Sequence, residues 1–182
     1  MWNATRGRVL SLGVIVITLT FLRAAASAVP IPVVVSYAIL RTDNPKWIAD
    51  DGLIQLSIFI NDNDVGDLKS QLTGGNVSLD VSFTTGSLSI PIAGCRPLGN
   101  QLKCTSGGVR ALLMHLGHTP NVYQLTVVQR NLPGSVTGTA AVDGPVSVTL
   151  HQGPTDRVDD IDISKCRSGK QGTSVFWLSC RE

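Results

Sequence analysis

The sequence predicts an all-β protein, an antiparallel β-sandwich that is immunoglobulin-like in its general architecture. Short segments rich in Val, Ile and Leu recur along the chain and are separated by Gly, Asn and Asp turns. Of the 13 acidic residues, 12 are Asp, which favours turns and loops over helices. The four Cys residues occur in two hairpin-like segments. Together these features indicate small disulfide-braced sheets that pack face to face.

The segment 1–28 has the features of a secretory signal peptide. Arg6 and Arg8 precede an apolar stretch at positions 9–22, and Ala26-Ser27-Ala28 forms a small-residue cleavage site. The apolar stretch is short for a membrane span, which needs about 20 residues. We therefore expect the segment 1–28 to be removed and the mature chain to be secreted, with no membrane span.

Removal of the signal changes the charge of the chain. The whole sequence has 15 Lys and Arg residues against 13 acidic ones, and three of the Arg residues lie in the signal. The mature part then has 12 basic and 13 acidic residues, a net charge of −1. This balance gives no support to nucleic-acid binding, which is typical of strongly basic domains.

The apolar segments predict a succession of strands. Pro91, which lacks an N–H group, places its strand at a sheet edge or a bulge. The spacing of Val65, Leu68 and Leu72 predicts a short helical turn. The segment 109–116 fits both a helical stripe and a strand. The other strands are expected at residues 33–41, 53–60, 77–83, 88–92, 122–128, 135–142, 146–150 and 158–163.

Two halves of the chain share an ordered series of features. Residues 53–58 match 122–127 at an offset of 69, and residues 77–79 match 146–148 at the same offset. We interpret this as two tandem repeats of about 70 residues, 29–108 and 109–182, each ending in a disulfide hairpin. On this alignment the segment that begins at residue 109 is a strand. In the alternative, the two halves merge into one sandwich with a shared core.

Two Cys hairpins close the two halves. Each begins Cys-Arg, contains a Gly turn and ends on a short strand with a second Cys. Four Cys in a secreted chain indicate two disulfides, and the hairpins favour Cys95–Cys104 and Cys166–Cys180 over a bond between the hairpins. The second hairpin has five more residues between its cysteines. If a hairpin contacts a partner, we expect that one, through Arg167, Phe176 and Trp177.

The residues give little support to catalysis. His115 and His118 would face opposite sides of a strand, and His151 lies on a different strand. The sequence has no Gly-x-Ser-x-Gly segment and no phosphate-binding Gly loop. We therefore expect a non-enzymatic protein without a cofactor.

Two Asp clusters are candidate calcium sites, because extracellular calcium modules use Asp and Asn oxygens on loops. The first contains Asp62, Asp64 and Asp67, and the second contains Asp156, Asp159 and Asp160. In the alternative, these are solvated loops and edge-strand charges that prevent sheet-to-sheet pairing. A separate candidate modification site is Asn76, in the glycosylation sequon Asn76-Val77-Ser78.

The function that we expect is adhesion, recognition or matrix assembly by a secreted β-sandwich protein. Such proteins bind an extracellular protein or glycan through loops at the ends of the sandwich or through exposed sheet edges. The alternative function is a secreted inhibitor or effector that presents a disulfide-braced hairpin to a partner protein. The oligomeric state does not follow from the sequence.

Overall fold

The computed structural model describes residues 31–42, 51–63, 66–83, 86–117, 119–133, 146–161, 163–171 and 175–181. Several sequence-based predictions lie outside them: the signal peptide, the strand at 135–142, His118 and Asp64. The elements are β1 (Ile31–Pro32), β2 (Val34–Arg41), β3 (Gly52–Asn61), α1 (Leu68–Thr73), β4 (Val77–Phe83), β5 (Gly86–Ile92), β6 (Cys95–Leu98), β7 (Gln101–Ser106), β8 (Val109–His115), β9 (Val122–Leu132), β10 (Val146–Gln152), β11 (Thr155–Ile161), a 3-10 turn (Ile163–Lys165), β12 (Cys166–Gln171) and β13 (Val175–Arg181).

The strands form two sheets. One has five strands in the order β1-β11-β10-β4-β5, and the other has eight in the order β12-β13-β2-β3-β9-β8-β7-β6. Neighbouring strands are antiparallel in both sheets, except that the short β1 runs parallel to β11. The prediction of an almost entirely antiparallel β protein is therefore confirmed.

One hydrophobic core lies between the sheets. Alternate residues of each strand point inward, as a pleated strand with one solvated face requires. In the eight-stranded sheet β3 buries Ile54, Leu56 and Ile58, and in the five-stranded sheet β4 buries Leu79 and Val81. These side chains belong to a single cluster of buried residues. The sheets therefore pack as a sandwich, as the sequence predicted.

Strands from both halves of the chain contribute to both sheets. The central pair of the eight-stranded sheet is β3 with β9, and β4 pairs with β10 in the five-stranded sheet. The hairpin β6–β7 of the first half pairs with β8, and the hairpin β12–β13 of the second half pairs with β2. In the described part of the chain the two halves therefore form one merged sandwich, the alternative arrangement considered above.

In each central antiparallel pair, one position brings together two residues that the sequence alignment of the halves also matches. Ser57 lies opposite Thr126 in the eight-stranded sheet, and Asp80 lies opposite Thr149 in the five-stranded sheet. In both pairs the two residue numbers differ by the offset at which the two halves align. The two hairpins also pair in corresponding ways, since Cys180 lies opposite Ala38 of β2 and Cys104 lies opposite Ala111 of β8. The strand arrangement thus relates the two halves by an approximate twofold rotation.

Three local predictions agree with the structure. The helical turn is α1, whose Leu68 and Leu72 are fully buried. The ambiguous segment after residue 108 is the strand β8, which buries alternate residues. Pro91 lies exposed on β5, at the edge of the five-stranded sheet, where no ladder hydrogen bond is lost.

Each hairpin contains its own disulfide bond. Cys95 bonds to Cys104 and Cys166 bonds to Cys180, directly opposite each other on adjacent strands. Cys104 and Cys180 are buried in the core. Both bonds join neighbouring strands of one sheet, whereas the conserved disulfide of antibody domains joins two sheets.

Removal of either disulfide should destabilise the sandwich by similar amounts. The bonds close short loops, with sequence separations of 9 and 14. The chain-entropy model assigns about 3 kcal/mol to loops of this size. We expect the double substitutions Cys95→Ala with Cys104→Ala, and Cys166→Ala with Cys180→Ala, each to lower the free energy of unfolding by about that much. Urea unfolding measures the change, and an unchanged midpoint in both variants would contradict it.

Candidate binding face

Charge is divided between the two sheets. The described strands of the eight-stranded sheet contain no acidic residue and eight basic ones: Arg41, Arg96, Lys103, Arg110, Arg130, Arg167, Lys170 and Arg181. The described strands of the five-stranded sheet contain four Asp residues and one Arg, which is fully buried. One side of the sandwich is therefore basic and the other acidic, although the overall charge is close to zero.

Strand alternation directs seven of the eight basic side chains to solvent. In each strand of the eight-stranded sheet, every second residue faces the core and the residues between them face solvent. Seven of the basic residues are at solvent-facing positions. The side chain of the eighth, Lys170, is not among those described. We call this solvent-facing surface of the eight-stranded sheet the basic face.

The second hairpin forms a groove at one end of the basic face. The groove has a volume of about 550 Å³ and is open to solvent. Its described lining contains three cationic side chains and no acidic one. The lining residues are Ser164, Lys165, Arg167, Trp177, Ser179 and Arg181. We call this the hairpin groove.

The indole ring of Trp177 packs against a glycine of the neighbouring strand. Gly169 is its cross-strand partner, and a Cβ atom at residue 169 would lie 2.5 Å from the indole ring. Only glycine leaves room for the ring in this position, since real Cβ contacts are longer. The indole is half-buried, so part of the ring still lines the groove.

Arg181 connects the hairpin groove to the centre of the sheet. Its guanidinium carbon lies 5.3 Å from the centroid of the Tyr37 ring, within the range of a cation–π interaction. Arg181 and Tyr37 also line a shallow depression of about 440 Å³. The rest of that lining is polar and uncharged: Ser36, Gln55, Ser57, Gln124 and Thr126.

Hydrogen bonds fix the polar side chains at the centre of this depression. The Ser57 hydroxyl accepts a hydrogen bond from the Gln124 amide at 2.8 Å. The Ser36 hydroxyl donates to the Ser57 carbonyl at 3.1 Å. Ser36 lies at a β-bulge in β2, where the register shifts between Val35 and Tyr37. The bulge places the Ser36 hydroxyl on the solvent-facing side.

The first hairpin forms a corresponding groove with fewer charges. Its volume is about 450 Å³, and its lining residues are Gly94, Arg96, Pro97, Leu98, Lys103 and Thr105. Arg96 corresponds to Arg167, because both follow the first Cys of a hairpin. Gly94 and Thr105 stand where the second groove has Lys165 and Arg181. Gln101 stands where the second hairpin has Trp177.

The opposite side of the sandwich carries a clamped histidine. His151 on β10 lies between two carboxylates, with its Nδ1 2.7 Å from Asp156 and its Nε2 2.9 Å from Asp80. The hydrogen bonds to Asp156 and then to Asp80 raise the pKa of His151. The pKa of Asp80 is lowered, first by the hydroxyl of Ser89 and then by His151. The three charges hold adjacent strands of the five-stranded sheet together.

A buried ion pair holds one end of the sandwich. Arg157 is fully buried, and its guanidinium lies 3.2 Å from a carboxylate oxygen of Asp62. Arg157 also donates to the Gln152 side chain at 3.0 Å and to the Asn61 carbonyl at 2.8 Å. Gln152 donates to the same Asp62 carboxylate oxygen at 3.0 Å. The network joins β10 and β11 of one sheet to the loop after β3 of the other.

The Asp residues predicted as calcium ligands have other partners or lie apart. The second oxygen of Asp62 accepts the Leu68 backbone N–H, so both of its oxygens are engaged. Asp159 accepts the Val35 backbone N–H at 2.7 Å and so links the two sheets at β11 and β2. Asp156 contacts His151. Asp67 and Asp160 are exposed. Among the residues that the structure describes, no group of three His, Cys, Asp or Glu residues is arranged to hold a metal ion.

The described histidines do not share a site. His115 ends β8 in the eight-stranded sheet, and its ring contacts Tyr123 edge-on at 5.4 Å. His151 belongs to the five-stranded sheet. Asn76, the sequon residue, lies exposed in the turn between α1 and β4.

The structure brings together two of the three predicted contact residues, Arg167 and Trp177. The third, Phe176, lies on β13, and its side chain is not among those described. Sequence reasoning missed Lys165, Arg181 and Tyr37. A signal was present, since the strand segments that carry Arg lack acidic residues, but the sequence did not tell which strands share a sheet.

Comparison with known proteins gives no relative for this chain. It matches no protein-family model, and no curated protein or solved structure resembles it significantly. Among the described residues, no helix has the length and apolar character needed to cross a membrane. The functional argument therefore depends on the geometry of the two faces.

Loss of the Asp62 carboxylate should strongly destabilise the fold. The substitution Asp62→Ala would remove the carboxylate that lies 3.2 Å from the buried Arg157 guanidinium, and removal of one member of a buried ion pair typically costs about 3–5 kcal/mol. Thermal unfolding measures the loss. The control is Asp67→Asn, since Asp67 is exposed and precedes the same helix, and Asn tolerates its backbone φ of 67°. We expect the Asp62 effect to be the same with added calcium and with chelator. A calcium-dependent difference would mean that Asp62 also binds the ion.

The contacts of His151 with Asp80 and Asp156 should make the stability of the fold depend on pH. A histidine whose pKa is raised in the folded protein stabilises the fold at pH values below its pKa in the unfolded chain, about 6.5. This stabilisation is lost as the pH rises through the pKa in the folded protein. We expect His151→Gln to lower the melting temperature at about pH 5.5 and to have a smaller effect at about pH 9. The side chains are 32% to 56% exposed, so the loss should be about 1 kcal/mol or less.

At low pH, the lowered pKa of Asp80 makes stability change with pH in the opposite direction. Its contribution is present above the unfolded value of about 3.9 and is lost as pH falls through the folded value. The effect of His151→Gln should therefore be largest between about pH 4 and pH 6.5. His115→Gln is the matched control, since the ring of His115 contacts Tyr123. If the loss of stability depended on pH equally in both variants, the pH dependence could not be assigned to the contacts of His151 with Asp80 and Asp156.

Proposed function

We propose that this chain is a secreted, non-enzymatic recognition protein that binds an extracellular partner on the basic face. The observation that carries the proposal is the division of charge between the two sheets, with seven basic side chains at outward positions on one face. A chain selected for folding and solubility alone has no need to separate its charges in this way. Separated charge steers a partner of opposite sign and fixes its orientation.

The scaffold is suited to binding without catalysis. The basic face is a broad sheet surface whose central side chains are hydrogen-bonded to one another, as Ser57 and Gln124 are. Its polar groups are mainly amides and hydroxyls, which recognise a ligand by hydrogen bonding. The His and Asp residues with perturbed pKa values lie on the opposite face, where they bond to each other.

Secretion is the second part of the proposal. It is supported by the signal-like segment 1–28 and by two disulfide bonds, which are typical of oxidising compartments. We also propose that residues 29–108 and 109–182 are copies of one unit. The offset that the sequence alignment shares with both central strand pairs supports this duplication.

The alternative function, an inhibitor or effector that acts through a projecting hairpin, has less support. The hairpin β12–β13 pairs with β2 over residues Trp177 to Arg181, so it continues the sheet surface. Its outward residues are part of the basic face. This arrangement favours recognition by the whole face over insertion of an isolated loop.

A panel of immobilised extracellular glycans and proteins, with acidic, neutral and basic members, tests the proposal. We expect binding to acidic members, without release of products. The variant Arg110→Gln with Arg130→Gln removes two charges from the face and should weaken binding about tenfold, at about 0.7 kcal/mol for each contact. The control Lys69→Gln with Ser87→Glu makes the same change in net charge away from the face and should bind normally.

Three results would contradict the proposal. The first is no binding to any member of the panel, and the second is an equal loss in the variant and the control. The third is chemical turnover of a bound ligand, which would show an enzyme.

A further inference from the structure

We propose that the hairpin groove is the main subsite for a linear anionic polysaccharide, one that carries sulfate or carboxylate groups. The inference rests on the proposed function and narrows it to one class of partner and one part of the basic face. It follows from the charges, the aromatic ring and the shape of the groove, and from a comparison with the groove at the other hairpin.

The cations of the groove are available for a ligand. Lys165, Arg167 and Arg181 line it, and no described acidic residue pairs with any of them. Arg167 and Lys165 are exposed. A guanidinium offers a planar fork of N–H donors that matches the geometry of a sulfate or carboxylate. Three uncompensated cations in one groove favour an anion with several charged groups.

Trp177 gives the groove an apolar surface of fixed orientation. The indole is held over Gly169 by the lack of a side chain there. An aromatic ring of this kind buries a large apolar area at little cost in conformational entropy. The C–H face of a sugar ring is the complementary surface, because its hydroxyl groups point to the sides. Cations beside a fixed aromatic ring therefore suit a charged sugar better than a bare inorganic anion.

The shape of the site indicates a polymer. Small-molecule sites enclose most of their ligand, but the hairpin groove is open and runs through Arg181 into the central depression. The track extends from β12 to β9, four strand spacings, or about 19 Å. The depression beyond Arg181 is lined by Gln, Ser and Thr side chains, which can hydrogen-bond sugar hydroxyls.

Other polyanions fit the face less well. A single-stranded nucleic acid requires several aromatic side chains on which successive bases stack, and the described track provides Trp177 and a Tyr37 ring that already contacts Arg181. An acidic polypeptide offers carboxylates but no sugar face for the indole. We therefore assign the groove to a polysaccharide and use an acidic polypeptide as a competing outcome of the test.

The groove at the first hairpin shows that this arrangement is not a general result of the fold. The same backbone there carries two cations, Arg96 and Lys103, and no aromatic ring. Gln101 occupies the position of Trp177. The first groove is therefore an internal control with a similar size and a similar place in the fold.

The test measures binding to dextran sulfate, polygalacturonate, neutral dextran and polyglutamate by calorimetry at fixed ionic strength. We expect the protein to bind one or both anionic polysaccharides and not neutral dextran. Arg167→Gln with Arg181→Gln should weaken that binding at least tenfold and reduce its salt dependence. The matched variant Arg96→Gln with Lys103→Gln removes the same charge from the first groove. Because these residues belong to the basic face but not to the hairpin groove, we expect a smaller loss, about threefold or less. Thermal unfolding of each variant confirms that it is folded.

Two variants separate the role of Trp177 from that of charge. Trp177→Ala removes the ring and leaves every cation in place. Gly169→Ala keeps the ring but displaces it, because the added methyl group would overlap the indole. We expect both to weaken polysaccharide binding about fivefold to tenfold, and we expect neither to change the weak attraction of polyglutamate.

The outcomes distinguish the two proposals. The assignment of the groove would be wrong if the double variants at Arg167/Arg181 and at Arg96/Lys103 lost affinity equally. It would also be wrong if Trp177→Ala bound polysaccharide as the unchanged protein does. If polyglutamate binds and neither anionic polysaccharide does, the assignment of the groove to a polysaccharide is wrong and the recognition function stands. If none of the polyanions binds, the assignment of the groove to a polysaccharide fails, and the panel of extracellular glycans and proteins decides on the recognition function.

Discussion

The pairing of each hairpin with the first strand of the other half determines most of this structure. The hairpin β12–β13 completes the sheet beside β2, and β6–β7 completes it beside β8. Because Cys104 and Cys180 lie inward on these strands, the disulfides become part of the core. Strand alternation then directs Arg96 and Arg167, each next to a Cys, to the outer surface. The repeated Cys-Arg pair thus has two separate uses, with the sulfur in the core and the guanidinium on the basic face.

The separation of charge follows from the same strand order. Acidic residues occur on β4 and β11 and in several connecting loops, whereas the described strands of the eight-stranded sheet carry none. The buried Arg157 is the exception on the acidic side, and Asp62 neutralises it. The described strands of each sheet therefore expose mainly one sign of charge, although Asp51, next to β3, pairs with Arg41 of the basic face. A net charge computed from the sequence cannot detect such a pattern, because it sums over both faces.

Much of the fold could be predicted from the sequence, but less of the site. Period-two alternation predicted β4, and the hairpin pattern predicted both disulfides, since these are local features. The sequence offset aligned the segments of β3 and β9, but it did not predict that these strands pair with each other.

For the site, Arg167 and Trp177 stood out because they lie beside a Cys hairpin. Arg181 and Tyr37 did not, since their contact joins β13 to β2, which are far apart along the chain. The Asp clusters were attractive as calcium ligands, because nothing near Asp62 in the sequence indicates that it contacts a buried Arg from another strand.

The pairing of β13 with β2 also has a consequence for how the chain folds. β13 leaves the ribosome long after β2, so their contact has a very large sequence separation. Contacts of this kind form slowly, because loop closure must precede the stabilising interactions. Until β13 arrives, one edge of β2 is an unpaired apolar strand, which is the kind of surface that joins strands of other chains. A nascent or truncated chain that lacks β13 would therefore need protection of this edge, for example by a chaperone.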